Sequence, residues 1–466
     1  MSGPSDPGIE SDGTGASRSG WIVRGRTELR ALTEGPLVRN AASLYGSTIV
    51  TSALGFFYWF MAARLLPAAS VGIASAIQSA AQLLSVVCVL GLSTLLISEL
   101  SVDRTHARSL MLTASTVVVG VTTVAALAVA FVVGQTSSNL HEGLSGPAAV
   151  IVFVLLSALT AEAVVLDDSC VGLLRGDIQL RRNTVFAVSK LLILPALIVL
   201  WPTKTGTELV LAWLIGLAIS LVLLAMRLDR LTSGQPSHLI FGHLFDRRRA
   251  IAGHHWLNIS IYAPRQMLPI IVATIVGPAP NAAFTAALLV IGFVNIIPVH
   301  LSTVLFALAP GDEVALRREV RKTMRICLAL ALASAPFFLV FSRLILGAFG
   351  TGYQSATTAL ILLGLTTYPL AVKTHYVAIS RVRGRMARAS VRTLVGGCIE
   401  IGLAALGGVR GGITGVALGY LAASVIEASL FAPTVFRVLS GAPGVDPEDA
   451  PAAGDDPSGG RGDGGS

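Results

Sequence analysis

Between Ser43 and Phe436 the chain alternates long apolar runs with short polar stretches. Twelve runs are long and apolar enough to cross a bilayer as helices. They are Ser43–Leu65, Val71–Ile97, Ser109–Gly134, Pro147–Leu166, Thr184–Trp201 and Leu209–Met226, then Ile251–Gly277, Asn281–Ala309, Met324–Ala348, Ser355–Ile379, Ala389–Val409 and Gly412–Phe436. The pattern predicts an all-α integral membrane protein with twelve transmembrane helices. The longest inner polar stretch, 227–250, divides them six and six. The expected organisation is a basic, disordered N-terminal tail over 1–38, a first lobe over 39–226, a linker over 227–250, a second lobe over 251–436, and a disordered tail over 437–466.

Composition supports this. Only 13% of the 466 residues are charged and mean hydropathy is +0.74, against about 25% charged in soluble domains. Charge placement sets the orientation. With both termini cytoplasmic, 27 Lys/Arg fall in or beside inner regions and three (Lys204, Arg343, Arg410) on the outside. That asymmetry is what the positive-inside rule demands, and adding or losing one span would scramble it. The expected location is a bacterial cytoplasmic membrane, in contact with membrane lipid. The net charge of +8 therefore reflects topology. The basic inner loops lack the interleaved aromatics of a nucleic-acid surface. Cys88, Cys170, Cys327 and Cys398 are scattered without metal or redox spacing.

The two halves echo each other. Leu65-Leu66-Pro67-Ala68 and Val276-Gly277-Pro278-Ala279 each lead into a small-residue helix that reaches Leu-Ser-Thr (Leu92–Thr94; Leu301–Thr303) before a basic loop. The offset is about 210 residues, as in transporters built from parallel repeats. The lobes are accordingly expected to be related by a pseudo-two-fold axis. Gly411, Gly415 and Gly419 form a GxxxGxxxG face suited to close helix packing.

Charges inside the runs mark the candidate chemistry. Arg265 stands near the middle of its run, flanked by Pro264 and Pro269 and accompanied by Asn258 and Gln266. A charge there costs at least about 2.5–3.5 kcal/mol, so it needs a partner or a wet cavity. One reading is a structural pair with Glu400 or Glu427. The other is a cationic cavity in which Arg265 and Arg64, with Asn258 and Gln266, bind an anion such as phosphate or pyrophosphate. Glu400, Glu427 or the inner pair Asp167 and Asp168 are then candidates for a coupling H+ or Na+; no cofactor is expected. Arg64, Lys190 and Lys373 lie near span ends, where each can snorkel.

Arg39-Asn40-Ala41, Leu54-Gly55-Phe56 to Trp59, Ala62-Ala63-Arg64-Leu65, Val71-Gly72-Ile73-Ala74-Ser75-Ala76 and Leu90-Gly91-Leu92 together resemble the opening of bacterial oligosaccharide flippases. These are the polysaccharide exporter branch, including O-antigen flippases, of the multidrug/oligosaccharidyl-lipid/polysaccharide exporter superfamily. The resemblance implies two six-helix lobes around a cationic cavity and no enzyme activity. It implies alternating-access movement of a polyprenyl-diphosphate-linked glycan, with glycosyltransferases and a polymerase as partners. The main alternative is a cation-coupled drug or metabolite exporter of the same superfamily. A membrane glycan enzyme and a non-transporting scaffold are further alternatives; an enzyme is disfavoured by the short, nearly uncharged outer loops.

Overall fold

A computed structural model of the chain describes residues 36–136, 142–201, 204–242, 248–308 and 313–441. Of the tails expected to be disordered over 1–38 and 437–466, residues 1–35 and 442–466 lie outside the described residues, as do positions 243–247 of the linker, while residues 36–38 and 437–440 are helical.

Among the described residues all regular structure is helical. The first half comprises α1 (Pro36–Leu65), α2 (Ala68–Cys88), α3 (Leu92–Val102), α4 (Ala107–Thr136), α5 (Pro147–Gly172), α6 (Gly176–Leu200) and α7 (Thr207–Leu231). The second comprises α8 (Arg248–Ile271), α9 (Pro278–Leu308), α10 (Glu313–Phe349), α11 (Thr357–Leu365), α12 (Thr367–Val382) and α13 (Met386–Ser440). Eleven described segments have spanning length and apolarity. One of them, α13, folds back at Gly411 and Gly412, where φ/ψ leave the helical region, so the crossings number twelve. Gly412 sits at φ 56°, a conformation glycine adopts without a Cβ penalty.

Three runs differ from the sequence reading. The second breaks into α2 and α3 at Val89–Gly91, where Leu90 and Gly91 have φ of 52° and 73°. The tenth divides into a 3₁₀ turn (Thr351–Ala356), α11 and α12. Both breaks lie inside apolar sequence, so hydropathy carries no trace of them. The ninth begins eleven residues earlier than its apolar core, because α10 extends as a basic helix from Glu313.

The second half repeats the first at a fixed step. At the α5–α6 turn, Arg175 N donates to Cys170 O; at the α12–α13 turn, Arg385 N donates to Ser380 O in the same pattern. The same step of 210 residues relates Ser75 to Thr285, whose hydroxyls meet at 3.1 Å across the two lobes. A residue that touches its own repeat partner lies at the pseudo-two-fold axis. The axis therefore passes between α2 and α9.

Around it the lobes close tightly. A side chain on Gly72 would overlap the Pro278 carbonyl, so backbone meets backbone there. Asn281 donates to Gly72 O at 2.8 Å and Ser75 Oγ at 3.0 Å. Phe56 meets Phe293 and Phe349 edge-on. The symmetry is broken by α8, which leans onto α2, while its counterpart α1 only brushes α9. Pro264 and Pro269 remove two helix donors from α8. Its end widens into a π turn over Val272–Val276, closed by Gly277 N to Val272 O at 2.9 Å.

In Gly72→Val the branched side chain has to displace the Pro278 backbone, an overpacking cost of about 1–3 kcal/mol. The expected outcome is a lower Tm in detergent and faster maleimide labelling of a Ser75→Cys reporter than in the Gly72 parent. Unchanged labelling would refute the close approach.

Candidate functional site

Lys373, Glu400 and Glu427 converge inside the second lobe from three stretches of chain: α12 and the two arms of α13. Lys373 is 7% exposed, Glu400 3% and Glu427 2%. The Lys373 Nζ lies 3.3 Å from both Glu400 carboxylate oxygens and 2.8 Å from Glu427 Oε2. Ser424 Oγ donates to Glu400 Oε1 at 3.4 Å. Gly396 makes the room: a Cβ there would overlap the Glu427 carboxyl. The arms of α13 hold the acids in register, with Gly407 against the Gly415 carbonyl and Gly419 against that of Leu403. Gly415 and Gly419 of the GxxxGxxxG face thus serve this packing, and Gly411 sits in the fold-back.

Charge balance defines what the cluster can do. Two ionised carboxyls against one ammonium leave a buried net negative charge, and each uncompensated buried ion costs several kcal/mol. Glu427 Oε1 is buried with no hydrogen-bond donor among the described residues. One further positive charge, a proton or a bound cation, would bring the cluster to balance.

The cluster forms one wall of a cavity with Arg265, Tyr420, Asn295 and Arg381 on its other walls. It runs from mid-depth, at Arg265 and Leu288, to the end of the bundle away from Pro278, at Ser302 and Arg381. Arg265 is exposed into this space. Its Nη2 donates to Leu288 O at 3.2 Å, and Gly292 leaves room for the guanidinium. The proline four residues further on, Pro269, frees the Arg265 carbonyl and bends the helix beside the cavity.

The sequence-derived candidates separate in space. Arg265, Glu400 and Glu427 share the cavity. The structural pairing of Arg265 with a glutamate does not form: among the described residues no carboxylate is within ion-pair distance of it, and Lys373 holds both acids. Gln266 faces the other lobe, donating to Gln82 Oε1 at 2.8 Å. Asn258, half-buried two turns earlier on α8, is not among the lining residues. Arg64 lies at the exposed end of α1, far from the cavity. Its Nε donates to Ala348 O of the opposite lobe at 2.8 Å and its guanidinium rests over Phe60. Asp167 is held by a two-pronged contact from Arg182 at 2.6 and 3.1 Å, and Asp168 stands beside it in the first lobe.

Two lysines differ from expectation. Lys373 and Lys190 do not snorkel: both are buried, Lys190 to 3% exposure. Lys190 sits among the rings of Trp213, Phe186 and Tyr58, with Nζ 3.6, 4.5 and 4.9 Å from the centroids, an arrangement that stabilises an ammonium without a carboxylate. It is the repeat counterpart of Glu400, 210 positions earlier. Sequence reasoning also passed over Tyr420 and Gly396, for which no local pattern exists.

No protein-family model matches the chain, and no curated protein matches it. Solved structures do. They include an inward-facing multidrug resistance MATE family transporter of the MOP superfamily, at 15% identity and TM-score 0.60 over 85% of this chain and 99% of that one. A MATE in complex with MaL6 matches at 14% and 0.58, over 87% and 96%. A MOP superfamily transporter from Pyrococcus furiosus, for which reverse polarity of the binding pocket suggests a different function, matches at 14% and 0.53, over 86% and 96%. The fold is that of the MATE transporters.

Lys373→Met strands two buried carboxylates and is expected to cost about 3–5 kcal/mol. It should be seen as a marked fall in Tm in detergent. Adding Glu400→Gln and Glu427→Gln should recover most of the loss. A triple variant no more stable than the single one would show that the three charges do not act as a unit.

Proposed function

We propose that the protein is a proton-coupled exporter of small amphiphilic molecules that carry a cationic group, working by alternating access. The observation that carries this reading is the buried Lys373–Glu400–Glu427 cluster in the wall of a cavity that Arg265 and Arg381 also line. The lining offers three cations, Arg265, Lys373 and Arg381, against two carboxylates. A zwitterionic amphiphile suits both: its cation takes the proton's place at Glu427, and its anion meets Arg265. A proton arriving at Glu427 then weakens the hold on the cation, so cargo and proton move in opposite senses. The likeness to multidrug MATE structures supports this cargo class over a lipid-linked glycan.

Orientation is set by the placement of Lys and Arg. With the basic loops inside, the Pro67 and Pro278 ends are external, the α2–α9 contact closes the outer side, and the cavity opens inward. The location we infer is a bacterial cytoplasmic membrane.

A second reading has one specific observation in its favour. Arg265 faces the cavity without a carboxylate partner, as a pyrophosphate site requires, and Arg39–Leu100 resembles the oligosaccharide flippases. Under it the cargo is a polyprenyl-diphosphate-linked glycan.

Proteoliposomes separate the two. Uptake of a zwitterionic fluorescent amphiphile should depend on an opposing pH gradient. Glu427→Gln should lower it at least tenfold and remove its gradient dependence, while Arg265→Ala weakens amphiphile binding. Gradient-independent uptake, or an active Glu427→Gln, would sink the coupling scheme. Translocation of a polyprenyl-diphosphate oligosaccharide without amphiphile uptake would put the second reading first.

A further inference from the structure

The polar extension of α10 is the most strongly charged surface described. α10 runs for 37 residues, about 55 Å at 1.5 Å per residue, well beyond a hydrocarbon core of about 30 Å. On its projecting turns Arg317, Arg318, Arg321, Lys322 and Arg325 border a shallow groove with Val314 and Ile326 at its apolar floor. Val314 is 80% exposed. Such a surface attracts polyanions, and two sources compete: lipid headgroups and the protein itself.

The end of α13 favours the protein. Arg317 Nη2 donates to Ser440 O at 2.7 Å and Arg321 Nη2 to Leu439 O at 2.8 Å. The last described residue, Gly441, lies against the Arg317 guanidinium. The chain therefore leaves the described fold at the lip of the groove. Residues 442–466 carry Asp446, Glu448, Asp449, Asp455, Asp456 and Asp463 against Arg461 alone.

Reach is sufficient. Five residues separate Gly441 from Asp446, about 17 Å extended at about 3.3 Å each. Arg317 and Arg325 are about 12 Å apart along the helix. Asp446, Glu448 and Asp449 can thus stand opposite Lys322 and Arg325, beyond the turns that already cap α13. Tethering keeps these carboxylates at an effective concentration of about millimolar.

We propose that the acidic segment Asp446–Asp456 docks intramolecularly on the basic groove of α10. The dock is independent of the transported cargo.

The test uses the full chain with Cys398→Ser and two reporters, Ile326→Cys in the groove beside Lys322 and Arg325 and Pro447→Cys in the segment. In phosphatidylcholine nanodiscs a disulfide between them is expected to form at least tenfold faster than in a variant whose segment carries Asp446→Asn, Glu448→Gln, Asp449→Asn, Asp455→Asn and Asp456→Asn. That variant has the same tether and lacks only the charge. Arg318→Gln/Lys322→Gln/Arg325→Gln, which spares the two arginines capping α13, should slow it equally, as should 0.5 M salt. Equal rates for the charged and neutral segments would overturn the proposal. So would loss of the disulfide when phosphatidylglycerol replaces phosphatidylcholine, which would give the groove to lipid headgroups.

Discussion

The architecture depends on one close approach, where the backbone of α2 at Gly72 meets that of α9 at Pro278. Lipid tails are as apolar as the helices, so the hydrophobic effect does little to bring two lobes together inside a membrane. Short-range packing and internal hydrogen bonds have to do it instead. Gly72 permits the approach, and Ser75, Asn281 and Thr285 supply polar contacts at the point where the two repeats meet. Phe56 and its partners fill the flank. The cavity owes its existence to this arrangement: with the lobes fastened along α2 and α9, the polar interior of the second lobe keeps an open side at the opposite end.

Inside that lobe the logic is electrostatic. Three buried charges in one place are tolerable only as a set, because each alone would be stranded in a low-dielectric medium. The set is one positive charge short of balance, and the proposed proton coupling draws on that shortage. The first lobe solves the same problem differently. Its Lys190 occupies the position of Glu400 but is surrounded by aromatic faces, so its burial requires no acid. The duplicated halves thus keep one backbone plan while placing a base at one site and an acid at its equivalent.

Much of the fold could be read from the sequence because spanning length, loop charge and the roughly 210-residue echo are all written along a single dimension. The breaks at Leu90-Gly91 and at Leu365–Thr366 could not, since neither interrupts the apolar pattern. The site was legible in part. Arg265, Glu400 and Glu427 stand out as charges where charges are costly. Their pairing did not, because Lys373 reads as an end-of-span lysine free to reach the headgroups and is instead turned inward by the packing of α12 against α13. Arg64 reads as a cavity residue because it occupies the matching first segment, and Gln266 because it adjoins Arg265, whereas both contact the other lobe.

The fold-back in α13 has a mechanical consequence. Its two arms touch backbone to backbone at Gly407–Gly415 and Leu403–Gly419, so the carboxyl-bearing residues Glu400 and Glu427 ride on one rigid hairpin. Their separation is a fixed dimension, like the width of a door frame. The ammonium comes from α12, a short helix cut off from α11 at Thr366. Loosening the cluster is therefore a matter of sliding α12 past a stationary frame, and the bolt of this lock is the lysine.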